Sequence, residues 1–154
     1  MNKYHNHKVV IAGIKFDSQL EGDRYLYLKD LERKGKIIRL QRQVRFEVIP
    51  AQTITINRTG AKGQPLKLKV KTVELKTDYI ADFVYLVWVG NTVGHCVYKK
   101  VIEDTKGMKT PDYIIKRKLM RLQGNPITEV SHPTQPITTD RRDFINIPYE
   151  EEQK

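Results

Sequence analysis

Apolar residues in this chain fall into short runs whose spacing changes from one stretch to the next. Val9 to Phe16 is an apolar run interrupted at Gly13, which predicts a short strand or hairpin turning on that glycine. Ser18-Gln19-Leu20-Glu21 has the form of a capping box, and Gly35 supplies a stop for a helix running to about Lys34. Leu20, Tyr27, Leu28 and Leu31 mark the apolar stripe of that helix. Glu21, spaced i, i+4, i+7 with Tyr25 and Leu28, lies on the shoulder of the stripe. From Lys36 to Pro50 the period drops to two, with Ile38, Leu40, Val44, Phe46 and Val48 on one parity, and a strand is expected.

Residues 51–77 read as an extended hairpin: Thr53–Ile56 leads to a turn-rich tip at Asn57–Gly63, and Leu66–Lys71 returns. On the return strand Leu66, Leu68 and Val70 take one face and Lys67, Lys69 and Lys71 the other. Two further strands, 79–89 and 96–106, join around Gly90-Asn91 and Gly94. Thr110-Pro111 then opens a second helix, with Ile114, Ile115, Leu119 and Leu122 inward and Lys116, Arg117, Lys118 and Arg121 outward. Gly124-Asn125-Pro126 ends it, and Ile127–Val130 is a short strand returning beside the sheet. The order is helix, three strands, helix, strand, an α/β domain over 1–131 with 51–77 as an inserted hairpin. Residues 1–9 form a polar, basic arm, and 132–154 a proline-punctuated extension with Arg141-Arg142 and the acidic Glu150–Glu152.

Charge narrows the partners. Twenty-eight Lys and Arg against eighteen Asp and Glu leave +10 at pH 7, which favours a polyanion. The basic residues are spread over strands and helices instead of one amphipathic face, and no apolar run approaches a membrane span, so a membrane is not expected. Cys96 is the lone cysteine, which rules out a disulfide framework or a cysteine zinc site and fits a reducing cytoplasm. His5, His7, His95 and His132 share no ligand spacing on any one element.

The chemistry concentrates in Val101–Gly107, a strand ending in Asp104-Thr105-Lys106 before a turn glycine. Alternation puts Asp104 and Lys106 on one face and gives Glu103 the other parity, that of a surface residue. Asp82 interrupts the apolar strand Tyr79–Tyr85, where an unpaired carboxylate is costly and so pairs with a lysine or holds a metal. Asp82 and Asp104 on adjacent antiparallel strands could bracket one Mg²⁺, which keeps several waters and so needs only one or two carboxylates, with Mn²⁺ as a substitute. The Thr105 backbone carbonyl is a natural extra ligand, and Lys106 would position the water or neutralise developing charge. Glu21 could complete the site through a water if its helix packs over these strands; by itself it is equally the capping-box acid. Lys67, Lys69 and Lys71 read either as a solvated face or as phosphate contacts, with Lys109, Lys116, Arg117 and Arg121 as a second basic path. Trp88 and the tyrosines read as packing residues.

Helical Glu21, strand Asp82 in Ile80-Ala81-Asp82-Phe83-Val84-Tyr85, and Glu103-Asp104-Thr105-Lys106-Gly107 resemble the PD-(D/E)XK nuclease superfamily, and more narrowly a family of small phage and prophage proteins placed in it. The likeness takes in Asn2-Lys3-Tyr4, Ile14–Ser18 and Leu40–Phe46 around Gln43, and covers about residues 2–123. The resemblance implies a restriction-endonuclease-like core (αβββαβ, a central mixed sheet with flanking helices), Asp82 and Asp104 as metal ligands, Lys106 as catalytic lysine and Glu21 as accessory acid. Ala81 stands where the superfamily commonly has proline, and Asp104 where it commonly has glutamate; proline is no ligand, and aspartate coordinates as well. The function expected is a Mg²⁺-dependent DNA endonuclease in the host-cell cytoplasm, acting on duplex or branched DNA such as phage recombination intermediates, with a homodimer left open. The alternative is a non-catalytic nucleic-acid-binding module that keeps the fold; a protein-interaction factor is favoured only by the acidic tail.

Overall fold

The structure, a computed structural model, describes residues 8–137 and the backbone of 144–148. Of the arm expected over 1–9, residues 1–7 with His5 and His7 lie outside the described residues, as do the Arg141-Arg142 pair and the Glu150–Glu152 tail. Val9–Ile11 (β1) and Ile14–Phe16 (β2) form the hairpin expected around Gly13, with Ala12 and Gly13 both at positive φ in the turn. Gln19–Arg33 (α1) begins at Ser18, whose hydroxyl accepts from the Glu21 N–H at 3.1 Å. The Glu21 carboxylate reaches back one residue further than a standard box, to the Asp17 N–H at 2.9 Å. At the other end Gly35, at φ +68°, and Lys36 return their N–H groups to Glu32 and Leu31, a Schellman stop. Gly22 lets α1 lie close on β1: a Cβ there would stand 2.4 Å from the Ile11 side chain.

Ile37–Ile49 (β3), Thr77–Thr92 (β6) and His95–Thr105 (β7) form an antiparallel centre, and Ile127–Val130 (β8) adds parallel to the end of β7 after the helix Pro111–Leu122 (α2). The result is a mixed sheet in a strand-rich α/β fold. Phe144–Pro148 (β9) pairs antiparallel with the first half of β7, so the stretch expected as an extended tail contributes a strand. Gln52–Thr59 (β4) and Pro65–Glu74 (β5) make a separate two-stranded ribbon, exposed at every residue. No helix among the described residues is long and apolar enough to cross a membrane.

Both faces of the central sheet are covered. Leu28 packs with Ile37, Phe83, Tyr85 and Val101 on the α1 side; Tyr113 and Met120 pack with Val48, Tyr79, Ala81, Val84 and Ile102 on the α2 side. The second helix is rotated from the expected stripe: Ile115 and Leu122 are exposed, and Tyr113 and Met120 face the sheet instead. Its N-cap Thr110 donates its hydroxyl to Asp112 and not to a backbone group. Coverage of both faces also overturns the reading of Glu103 as a surface residue. It is fully buried, gripped by Arg24 Nε at 2.9 Å and Nη2 at 2.6 Å, with the Tyr85 hydroxyl donating to it as well. Arg24 spends its remaining donors on the Pro133 and Gln135 carbonyls at 2.9 and 2.7 Å, which ties the segment after β8 to α1.

Candidate active site

The geometry of the site follows from a reversal in the sheet. Leu40, Val44, Phe46 and Val48 share one parity on β3, yet Leu40 packs on the α1 side and the others on the α2 side. Along β6, Ala81 belongs to the α2 side and Phe83 to the α1 side. Two residues of one parity face opposite ways only if the backbone between them turns over, and the turnover falls at Gln43 and Asp82. Gln43 has φ +50°, a conformation that costs a non-glycine residue about 1–2 kcal/mol. The bracketing pairs Arg42↔Phe83 and Val44↔Ala81 set it across from Asp82. From there its amide donates to Asp82 Oδ1 at 3.4 Å and to Glu21 Oε1 at 3.0 Å.

The ladder between β6 and β7 stops at Phe83↔Glu103, one rung short of Asp82 and Asp104. Beyond that rung Asp82 Oδ2 accepts the Thr105 N–H and hydroxyl, both at 2.7 Å. Thr105 therefore serves the site by holding Asp82, through groups other than the carbonyl expected as a ligand. Asp104 is 1% exposed. Lys106 Nζ lies 3.1 Å from its Oδ2 and donates to Oδ1 at 3.4 Å, while Oδ2 accepts no well-formed hydrogen bond. Lys106 is held in turn by its N–H to Val130 O at 3.2 Å and by the Tyr113 ring, 5.1 Å from Nζ.

Electrostatics mark the same place. Burial first, and then the charge of Asp82, push the Asp104 carboxyl up to about 6 against the opposing pull of Lys106 and Tyr79. Burial is also the largest cause of the raised pKa of Glu21, and Asp82 adds to it; the Asp17 N–H, Gln43 and Arg42 pull the other way. The buried Tyr79 hydroxyl lies against Asp104 without a well-formed hydrogen bond, and burial first, then the Asp104 charge, raise its pKa. Two mutually repelling carboxylates, one with a buried oxygen that Lys106 pairs but does not hydrogen-bond well, are what a divalent cation would relieve. Asp82 Oδ1 and Asp104 Oδ2 are the atoms available to it. Among the described residues no group of three or more His, Cys, Asp or Glu is placed to hold a metal. An ion here would thus keep most of its shell as water, which suits Mg²⁺.

The structure brings Glu21, Asp82, Asp104 and Lys106 together where the end of β7 parts from the middle of β6, and adds Gln43, Tyr79 and Tyr113 around them. Of these additions, Gln43 left a signal in the sequence as an uncharged polar residue inside an alternating strand. The basic residues divide. Lys109 and Arg117 close on Glu129, Arg117 at 2.5 Å, and together they outweigh burial and lower its pKa. Lys116 is half-buried, and Arg121 is exposed beside a cleft of about 420 Å³ that Arg117, Lys118, Ile127 and Glu129 also line. Lys67, Lys69 and Lys71 stand apart on the ribbon. The model of a family described as "Protein of unknown function (DUF1064)" matches residues 1–132. No curated protein and no solved structure matches the chain.

Proposed function

The chain belongs to the DUF1064 family, and we propose that it is a metal-dependent nuclease of the PD-(D/E)XK type that hydrolyses phosphodiester bonds in DNA. The observation that carries this reading is the Asp82–Asp104–Lys106 cluster where the end of β7 parts from β6, with Asp104 buried and its carboxyl pushed up to about 6. A buried, strongly perturbed acid that faces a second carboxylate and a lysine favours a catalytic role over a structural one. The +10 charge supplies attraction to the polyanion.

Asp82 and Asp104 would hold one Mg²⁺, or Mn²⁺ in its place, and the bound ion would neutralise the phosphoryl oxygens and acidify a water. Lys106, 33% exposed at its side chain, faces both Asp104 and solvent, so its ammonium can orient the attacking water and balance charge on the phosphoryl group. Glu21 acts through Gln43, whose amide donates to both Glu21 and Asp82 and so positions the Asp82 carboxylate. The Thr105 clamp fixes one oxygen of Asp82 and leaves Oδ1 to face the site.

A cleavage panel of supercoiled, linear, flap and four-way-junction DNA in Mg²⁺, Mn²⁺ or EDTA tests the proposal. Cleavage in either metal that EDTA abolishes is the expected result, and the preferred member of the panel identifies the substrate shape. Binding of the panel with no cleavage in either metal would replace the enzyme with the non-catalytic binding module. The lack of a third metal-ligating side chain among the described residues is the observation that favours that second reading.

A further inference from the structure

The ribbon formed by β4 and β5 is exposed on both faces along its whole length, an unusual state for a strand pair that carries Ile54, Ile56, Leu66, Leu68 and Val70. An isolated hairpin with no packed face is marginal in water, so its shape is suited to a surface that it meets. Residues 52–74 hold five basic side chains, Arg58, Lys62, Lys67, Lys69 and Lys71, against the single acid Glu74. Directly paired residues of an antiparallel ribbon share a face. The pairs Ile54↔Lys71 and Ile56↔Lys69 therefore put both isoleucines among the lysines, while Thr55↔Val70 and Arg58↔Leu66 make the opposite face mixed as well. A membrane-inserting hairpin needs one unbroken apolar face, and here Arg58 and threonines interrupt the face that Leu66, Leu68 and Val70 share. A second copy would bring like-charged lysines together.

Resting on the nuclease reading above, we propose that this ribbon enters the major groove of B-form duplex DNA and so restricts the substrate of the site to duplex DNA. A B-form major groove, about 12 Å wide, admits a two-stranded β-ribbon. There, long lysines reach the flanking phosphates while the methyls of Ile54 and Ile56, on the same face, meet base edges. The deep, narrow major groove of A-form RNA does not admit one. The ribbon leaves the sheet at Ile49↔Thr77, five residues along β6 from Asp82. At roughly 3.4 Å per residue that is about 17 Å, or about five base pairs at 3.4 Å each. One duplex can thus span the acidic cluster and the ribbon.

The test measures binding of the full chain in EDTA to a 20-base-pair DNA duplex, the same duplex as RNA, a DNA duplex with bulky pyrimidine C5 substituents that fill the major groove, and anionic phospholipid vesicles. Wild type and a Lys67→Gln/Lys69→Gln/Lys71→Gln variant are compared over a salt series. The expected result is preference for unmodified DNA over RNA and over the C5-blocked duplex. The variant should lose affinity, lose that preference, and show a salt slope flatter by about 0.9 per phosphate contact removed. Equal binding of blocked and unblocked DNA, an unchanged salt slope in the variant, or vesicle binding that depends on the three lysines would each overturn the ribbon proposal. Cleavage in Mg²⁺, scored on the same duplex, separates the two readings. Ribbon-dependent binding without cleavage defeats the nuclease alone, and cleavage indifferent to the lysines at sub-saturating DNA defeats the ribbon alone.

Discussion

Replacing Asp104 with asparagine should make the protein more stable while destroying its activity, and the gain should appear only above a defined pH. The Asp104 carboxyl sits at about 6 in the fold against an ordinary 3.8, because burial and the Asp82 charge penalise its ionised form. Between those two values the folded state binds more protons than the unfolded state, so stability falls as pH rises through the window and is level above it. At about 1.4 kcal/mol per pH unit, the gap corresponds to a cost of about 3 kcal/mol at neutral pH. Asparagine keeps the shape and has no charge to bury, and Lys106, one-third exposed, can turn its ammonium to solvent. Urea unfolding of wild type and Asp104→Asn at a series of pH values gives the difference directly, with all other titrating groups common to both. The difference should be near zero at pH 3 and grow to about 3 kcal/mol in favour of the variant by pH 7.5. Added Mg²⁺ should then stabilise wild type and leave the variant unchanged. A difference independent of pH, or a wild type more stable than the variant at pH 7.5, would refute the reasoning.

The Arg24–Glu103 pair, both partners buried, should respond in the opposite sense: Arg24→Met strands a charge and should cost about 3–5 kcal/mol in the same unfolding assay. The double variant Arg24→Met/Glu103→Leu should recover most of that loss, and full additivity of the two single changes would show that the pair is not coupled. Gln43→Gly should relieve the left-handed backbone at φ +50° and raise or preserve stability by up to about 1 kcal/mol. The same change removes the amide between Glu21 and Asp82 and should slow DNA cleavage; an unchanged rate would make Gln43 a strained residue without a role in the site.

Much of this arrangement is visible in the sequence because local rules govern it. The Ser18 cap, the Gly35 stop, the Gly13 turn and the Thr110-Pro111 helix start depend on residues a few positions apart, and the structure has each element where those signals fall. Asp82 and Asp104 stand out because carboxylates inside apolar strands need a reason. Parity failed where tertiary context decides. Glu103 was expected at the surface because alternation assumes one wet face, and β7 is covered on both. The turnover at Gln43 and Asp82 reverses which side a given parity serves, and nothing in residue type announces it. Arg24 lies on the buried face of α1 only because Glu103, 79 positions away, neutralises it. The strand Phe144–Pro148 had a signal, a β-branched and aromatic run ending in proline, but the surrounding prolines and charges masked it.

Nicking of supercoiled DNA in Mg²⁺ by wild type, Asp82→Asn and Asp104→Asn, with DNA affinity measured for each in EDTA, tests the central claim most directly. The account predicts nicking by wild type, a loss of at least about 100-fold in both variants, and affinity in EDTA that is unchanged or tighter because repulsion of phosphate is relieved. No nicking by wild type in Mg²⁺ or Mn²⁺, or nicking by both variants at the wild-type rate, would contradict it.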